Sequence, residues 1–261
     1  MPARLWCGRR AAVTAAAPRP PARGWAASSL GLQAVIAGLL LFAASPASAE
    51  VGAAVSVFSD ARFRGYTLSS GHPVAVVDLS YDDPSGLYGA VSASAVASSG
   101  DGIQPLGLQL SGGYAKRLPG GVTIDIGAVH SSYTLYTSRG ASTSYTEIYA
   151  GASRGFLTSR IYLSPHYFGH GTKAAYGELD ATVSPLRRLR LSGHVGLLVP
   201  IEYPGANHDD RAQYDWRLGV AREVGPATLH VIATGGGPGH DYYGDRRHNR
   251  TALILGLSWA L

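Results

Sequence analysis

Val51-Gly52-Ala53-Ala54-Val55-Ser56-Val57-Phe58-Ser59-Asp60-Ala61-Arg62-Phe63-Arg64-Gly65 alternates along its whole length. The odd positions carry Val51, Ala53, Val55, Val57, Ser59, Ala61 and Phe63. The even positions carry Gly52, Ala54, Ser56, Phe58, Asp60, Arg62 and Arg64. A period of two puts one set on each face of an extended chain, one face mostly apolar and the other small or charged. Strands of soluble proteins usually end after about five or six residues. This alternation predicts a strand over 51–64. We read it as the first wall of a transmembrane β-barrel, with its arginines turned inward.

Upstream, Arg4, Arg9, Arg10, Arg19 and Arg23 precede an apolar run from Leu30 to Ala44, which ends in Ala47-Ser48-Ala49. A basic start, a short apolar run and a small-residue cleavage motif predict a secretory signal peptide over 1–49, cut before Glu50. The barrel is expected over 50–261. The run of about fifteen apolar residues is short for a membrane-spanning helix. Those five arginines are part of the 22 basic residues, so 17 remain against 17 acids. A neutral mature chain without a Lys/Arg cluster excludes a phosphate-tracking surface, and no nucleic-acid partner is expected. Cys7 is the one cysteine and leaves with the leader, so disulfides cannot hold the fold.

Downstream, no segment carries a helical stripe, and Gly/Pro/Asp/Ser clusters recur at short intervals. Twelve strands are predicted: 51–64, 73–82, 87–97, 105–116, 121–132, 145–154, 157–167, 174–184, 188–199, 213–223, 226–235 and 250–261. Tight connections at 83–86, 117–120, 155–156, 185–187 and 224–226 alternate with longer ones at 66–72, 98–104, 133–144, 168–173, 200–212 and 236–249. Short turns at one end and long loops at the other are the pattern of outer-membrane barrels, whose turns are periplasmic. The fold class expected is therefore all-β, a closed antiparallel up-and-down barrel of about 12 strands.

The later strands repeat the two faces. Leu189, Leu191, Val195, Leu197 and Val199 oppose Arg190, Ser192 and His194; Leu179 and Val183 oppose Tyr176, Glu178 and Asp180. Leu253, Leu255, Leu257, Trp259 and Leu261 oppose Ala252, Ile254, Gly256, Ser258 and Ala260. Charges need shelter from lipid, so the apolar set is assigned outward. Phe63, Tyr81, Tyr167, Trp216 and Trp259 are candidate aromatics at the membrane interface. On this parity the lumen receives Asp60, Arg62, Arg64, Asp78, Asp125, Glu147, Arg160, Glu178, Asp180, Arg190, Asp215 and Arg217. Both signs on neighbouring strands can do either of two things: set a transverse field that selects polar solutes, or pair off and brace the wall.

The motif Ser59-Asp60-Ala61-Arg62-Phe63-Arg64-Gly65, then Ser69-Ser70-Gly71-His72-Pro73, then Ser85-Gly86-Leu87-Tyr88 resembles a proteobacterial family of TorF-type porins. That family reads roughly S-D-Y-R-F-R-G-x-S-x-S-x-x-x-P, then S-G-F-Y. Ala61, Leu87 and the stretch Ala93-Ser94-Ala95-Val96 depart from it. The resemblance is specific over 51–96 and elsewhere rests on strand rhythm. It implies an outer-membrane pore without catalytic residues.

The function expected is passive passage of small hydrophilic solutes through the outer membrane of a Gram-negative bacterium. Expected partners are those solutes, outer-membrane lipid, and the periplasmic chaperones and insertion machinery that handle such chains. No cofactor, metal or catalytic residue is expected. One alternative is a barrel without an open pore, acting structurally or through its long loops. A remoter one is a lipid-modifying enzyme built on His130, Ser132 and Glu147. His208, Asp209, Asp210, His240, Asp241, Asp245 and His248 are metal-capable groups without fixed ligand spacing. The run 235–239 is read as a glycine-rich loop.

Overall fold

Alternation along each strand becomes closure of the sheet. The computed structural model describes residues 49–98, 100, 102–134, 142–168, 172–202, 212–237 and 251–261. The leader, the seven metal-capable groups above and most of the long loops lie outside the described residues.

The described elements are β1 (Glu50–Phe58), β2 (Arg62–Phe63), β3 (Tyr66–Thr67), β4 (Val74–Asp82), β5 (Leu87–Ser98), β6 (Gly102–Arg117) and β7 (Thr123–Thr134). They continue with β8 (Ser142–Arg154), β9 (Leu157–Tyr167), β10 (Thr172–Leu186), β11 (Leu189–Glu202), β12 (Gln213–Val224), β13 (Ala227–Gly237) and β14 (Thr251–Ala260). Twelve of them form one closed antiparallel barrel in chain order, and β2 with β3 makes a separate two-stranded ribbon. Closure comes from β1, which pairs with β4 from Glu50↔Asp82 to Phe58↔Val74 and with β14 from Ala54↔Ala260 to Phe58↔Gly256. A closed ladder leaves no unpaired edge, which is what allows a sheet to stand in lipid.

The outward set is exposed and aliphatic. Leu218 is 61% and Leu253 65% exposed, and Val57, Val77, Ile126, Ile148, Ile161 and Val195 share that side. A continuous belt of this size would be unfavourable in water and is what an acyl-chain environment requires. Tyr81, Trp216 and Trp259 lie on the outward parity, as expected.

Five expectations are corrected. The first strand does not run to 64: β1 stops at Phe58, and the chain turns inside the barrel. Phe63 therefore lies in the interior at 3% exposure, not at the lipid interface. Tyr167 is also interior, at 1%. The ladder steps from Ala174↔Ser164 to Thr172↔Tyr167, and that one-residue excess in β9, beside Pro165, flips its side. Finally, 102–104 belongs to β6 rather than to a loop, and Gly235, Gly236 and Gly237 belong to β13. Pro105 is accommodated at another register shift, opposite Ala95.

The core lies inside the barrel and toward one end. Val74, Val76, Val96, Leu106, Val129, Leu198, Ile232 and Ile254 pack with Phe58, Leu68 and a set of tyrosines. Among the described residues, every barrel strand except β12 contributes to this packing, together with Ala61, Phe63 and Leu68 of the segment 59–73.

Candidate functional site: the barrel interior and its inward hairpin

Ser59 makes the last ladder contacts of the first strand, donating N–H to Leu255 O at 2.9 Å and accepting from Leu255 N at 3.0 Å through Oγ. The chain then organises around one carboxylate. Asp60 Oδ1 accepts from Thr67 Oγ1 at 2.6 Å, Ser69 Oγ at 2.8 Å and Gly71 N at 3.2 Å. Its Oδ2 accepts from Arg62 Nε at 2.8 Å, and Arg62 Nη1 donates on to Gly65 O at 3.0 Å. Ala61 N donates to Ser69 Oγ at 3.0 Å and Leu68 N to Ala61 O at 2.7 Å. Short polar side chains thus take over bonds that the ladder no longer supplies.

The hairpin tip is Arg64-Gly65, with φ of 45° and 84°. Two successive left-handed residues between paired strands make the two-residue turn whose twist suits a tight hairpin. A Cβ on Gly65 would stand 2.9 Å from Gly236 Cα and 3.2 Å from Asp215 Cβ, so the tip abuts β12 and β13. The hairpin leaves from β1 and reaches across the interior.

Arg64 is 4% exposed by side chain, and its Nη2 donates to Glu147 Oε1 at 2.8 Å and Oε2 at 2.9 Å. Its guanidinium carbon stands 3.7 Å from the Tyr176 ring centroid, 4.8 Å from Phe63, 5.2 Å from Tyr167 and 5.9 Å from Tyr162. The Glu147 carboxylate compensates the charge of the buried guanidinium. Arg64 is a permanent cation in an aromatic box. Behind it, Phe63, Tyr133, Tyr145, Tyr167 and Phe168 pack edge to face and in offset stacks, with centroids 4.7–6.3 Å apart.

Toward the tight-turn end the interior changes character. Asp125 accepts from Arg160 Nε at 3.0 Å and from Tyr88 at 3.3 Å; Tyr88 also bonds Tyr149. His194 lies between Asp180 at 2.8 Å and Asp215 at 2.9 Å, and Tyr176 donates to Asp215 at 3.0 Å. Arg217 Nη2 stands 3.9 Å from Asp180, and Tyr162 donates to Glu178 at 2.8 Å. Side chains here are wetter: Arg160 is 26%, Arg217 23% and Asp180 31% exposed. Asp78 and Arg190 are half-buried on the same inner face.

All twelve lumen candidates therefore lie on the barrel's interior side; ten of them fall into three groups rather than one ladder, and Asp78 and Arg190 lie elsewhere on the inner face. Asp60, Arg62 and Arg64 come from the hairpin, not from a barrel strand; Arg64 meets Glu147, and Arg62 meets Asp60. Asp125 meets Arg160. Asp180, Asp215 and Arg217 surround His194, with Glu178 next to them. Of the inward tyrosines, Tyr176 follows from the two faces of β10, whereas Tyr145, Tyr149 and Tyr162 are findings of the structure. Their signal was available, since each shares the parity of a charged neighbour, Glu147 or Arg160. The enzymatic grouping fails on geometry: His130 opposes Thr146 in the ladder and is exposed outside, whereas Glu147 opposes Val129 inside.

Over residues 43–245 the sequence matches a family described as a bacterial protein of unknown function, Gcw_chp. The chain belongs to that family. None of the curated proteins compared with it matches. Among solved structures, the NanC porin is similar over 80% of this chain and 100% of its own, with a TM-score of 0.51 and 12% identity. A KdgM porin in complex with disordered oligogalacturonate matches 81% of this chain and 99% of its own at 0.47 and 8% identity. An outer-membrane channel from Pseudomonas putida F1 matches 83% and 96% at 0.45 and 14%. At these identities the likeness is one of fold, and of these three only the NanC porin is close enough to support it.

Proposed function

We propose that the chain is a porin-like outer-membrane channel that lets small hydrophilic solutes pass passively. The observation that carries this reading is the inversion of the barrel: aliphatic outside, and inside a wall bearing charges of both signs. Asp78, Asp125, Arg160, Glu178, Asp180, Arg190, Asp215 and Arg217 line the wider half in this reading. Asp60, Arg62, Arg64 and Glu147 form its constriction. A carboxylate-and-arginine wall orients polar solutes as they pass, and the inward hairpin limits their size. The resemblance to TorF-type porins over 51–96 supports the same reading. So does the predicted leader, which would export the chain to the periplasm for chaperone capture and insertion. The wall works by charge and shape, with no catalytic residue, cofactor or metal in the reading.

Planar-bilayer recording tests it. The purified barrel should give discrete conductance steps in salt solution and admit small sugars or amino acids into liposomes. Protein that inserts and gives no steps would overturn the channel. The packed hairpin favours one second reading, a barrel that braces the membrane without an open lumen, and the same recording separates the two.

A further inference from the structure

The box around Arg64 has an unusual division of labour. Glu147, Tyr162, Tyr167 and Tyr176 belong to barrel strands β8, β9 and β10 and are 0–2% exposed. The cation that fills the box belongs to the tip of a hairpin. If the hairpin withdraws, the wall keeps its carboxylate and its ring faces. It then holds a buried charge without a partner, an arrangement that strongly favours entry of another cation.

We propose that this box is the channel's binding site for guanidinium- and amine-bearing solutes, and that Arg64 occupies it as a tethered stand-in. The inference rests on the channel reading above and names its solute class. The shape of the box favours a flat cation: one ring at 3.7 Å offers a stacking face, and two carboxylate oxygens lie on one side. Arg64 uses the box incompletely. Both carboxylate bonds come from Nη2, while Nε and Nη1 have no hydrogen-bond partner among the described residues. A free guanidinium can turn in plane and present two nitrogens to the two oxygens, which the tethered side chain does not do. The rings are held from behind: Tyr162 donates to Glu178 and Tyr176 to Asp215, so two stacking faces of the box stay in place when the hairpin leaves. A bound solute then displaces the hairpin that closes the passage.

Methylguanidinium is the probe, and both readouts are taken on full-length protein in detergent micelles. Arg64→Ala should bind it saturably by calorimetry, roughly tenfold more tightly than Arg64→Ala/Glu147→Gln. Arg64→Ala protein that is folded by circular dichroism but binds no better than the double variant would overturn the proposal. Should Arg64→Ala not fold, the wild type decides. Methylguanidinium, but not matched urea or potassium chloride, should speed amide exchange over 59–72, and unchanged exchange would overturn the proposal. Neither readout depends on conductance. Binding by a barrel that never conducts sinks the channel reading alone, and conductance without binding sinks this inference alone.

Discussion

The two halves of the barrel interior use the same alternating strands to opposite ends. Toward the long loops, the inner positions Val74, Val76, Val96, Leu106, Tyr133 and Tyr167 are almost fully buried, because the hairpin fills the space between them. Toward the tight turns, Asp78, Ser80, Ala90, Ser111, Arg190 and Ser192 are only half-buried, because nothing described fills that end. One half is packed like a protein core and the other is a polar vestibule. The difference follows the departure of the chain after Phe58, together with inner positions that are apolar toward the loops and small or charged toward the turns. A barrel wall sets what faces inward; an inserted segment decides whether that face meets protein or solvent.

Substitutions should break this contrast unequally. The largest effect is expected from Glu147→Gln, which leaves Arg64 charged and uncompensated in an aromatic interior. Removing one partner of a buried pair costs roughly 3–5 kcal/mol. It should appear as loss of amide protection over 59–72, while β4 and β5 near the turns stay protected. Asp60→Ala should follow. It strips the acceptor from two hydroxyls, one backbone N–H and Arg62, at roughly 1–3 kcal/mol for the donors left unmet. Hydrogen exchange would show the hairpin loosened with the barrel ladder intact. Gly65→Val comes next, placing a branched side chain at φ 84° and 2.9 Å from the Gly236 backbone. Backbone strain and overpacking together suggest about 1–3 kcal/mol. Thermal unfolding in micelles would measure it.

The smallest stability effect belongs to the vestibule. Arg160→Gln removes a partly exposed cation from the buried Asp125 carboxylate, which keeps its Tyr88 hydrogen bond, at an expected cost of about 1–2 kcal/mol. Its expected signature is functional instead. Losing a positive charge beside Asp125 should shift the reversal potential toward cation preference in a salt gradient. A variant that unfolds readily yet keeps its selectivity would show that this half braces the wall like the other.

The barrel itself was legible because lipid enforces a strict inside-outside rule at every strand position. The two faces of β10, β11 and β14 could be written directly from Tyr176–Glu178–Asp180, Arg190–His194 and Leu253–Trp259. The hairpin was not legible by period. Its arms are also extended, so Asp60, Arg62 and Arg64 keep the rhythm of β1 after the strand has ended. What ends it is side-chain bonding by Asp60 and a left-handed Arg-Gly pair, which lacks the Asn-Gly or Asp-Gly signal that usually marks such a turn. The residues that carried the family resemblance, Asp60, Arg62, Arg64, Gly65, Ser69 and Gly71, are the ones that build and place this hairpin. Tyr167 was misplaced for a different reason: a one-residue bulge inverts parity, and the sequence marks it only by Pro165.

Replacing residues 60–71 by a short glycine-serine linker asks whether the hairpin is the constriction, through single-channel conductance compared with wild type. With the hairpin gone, the loop-end half should become as open as the vestibule, and conductance should rise several-fold with the barrel still folded. A folded deletion variant with wild-type conductance would contradict the account, because the constriction would then lie elsewhere.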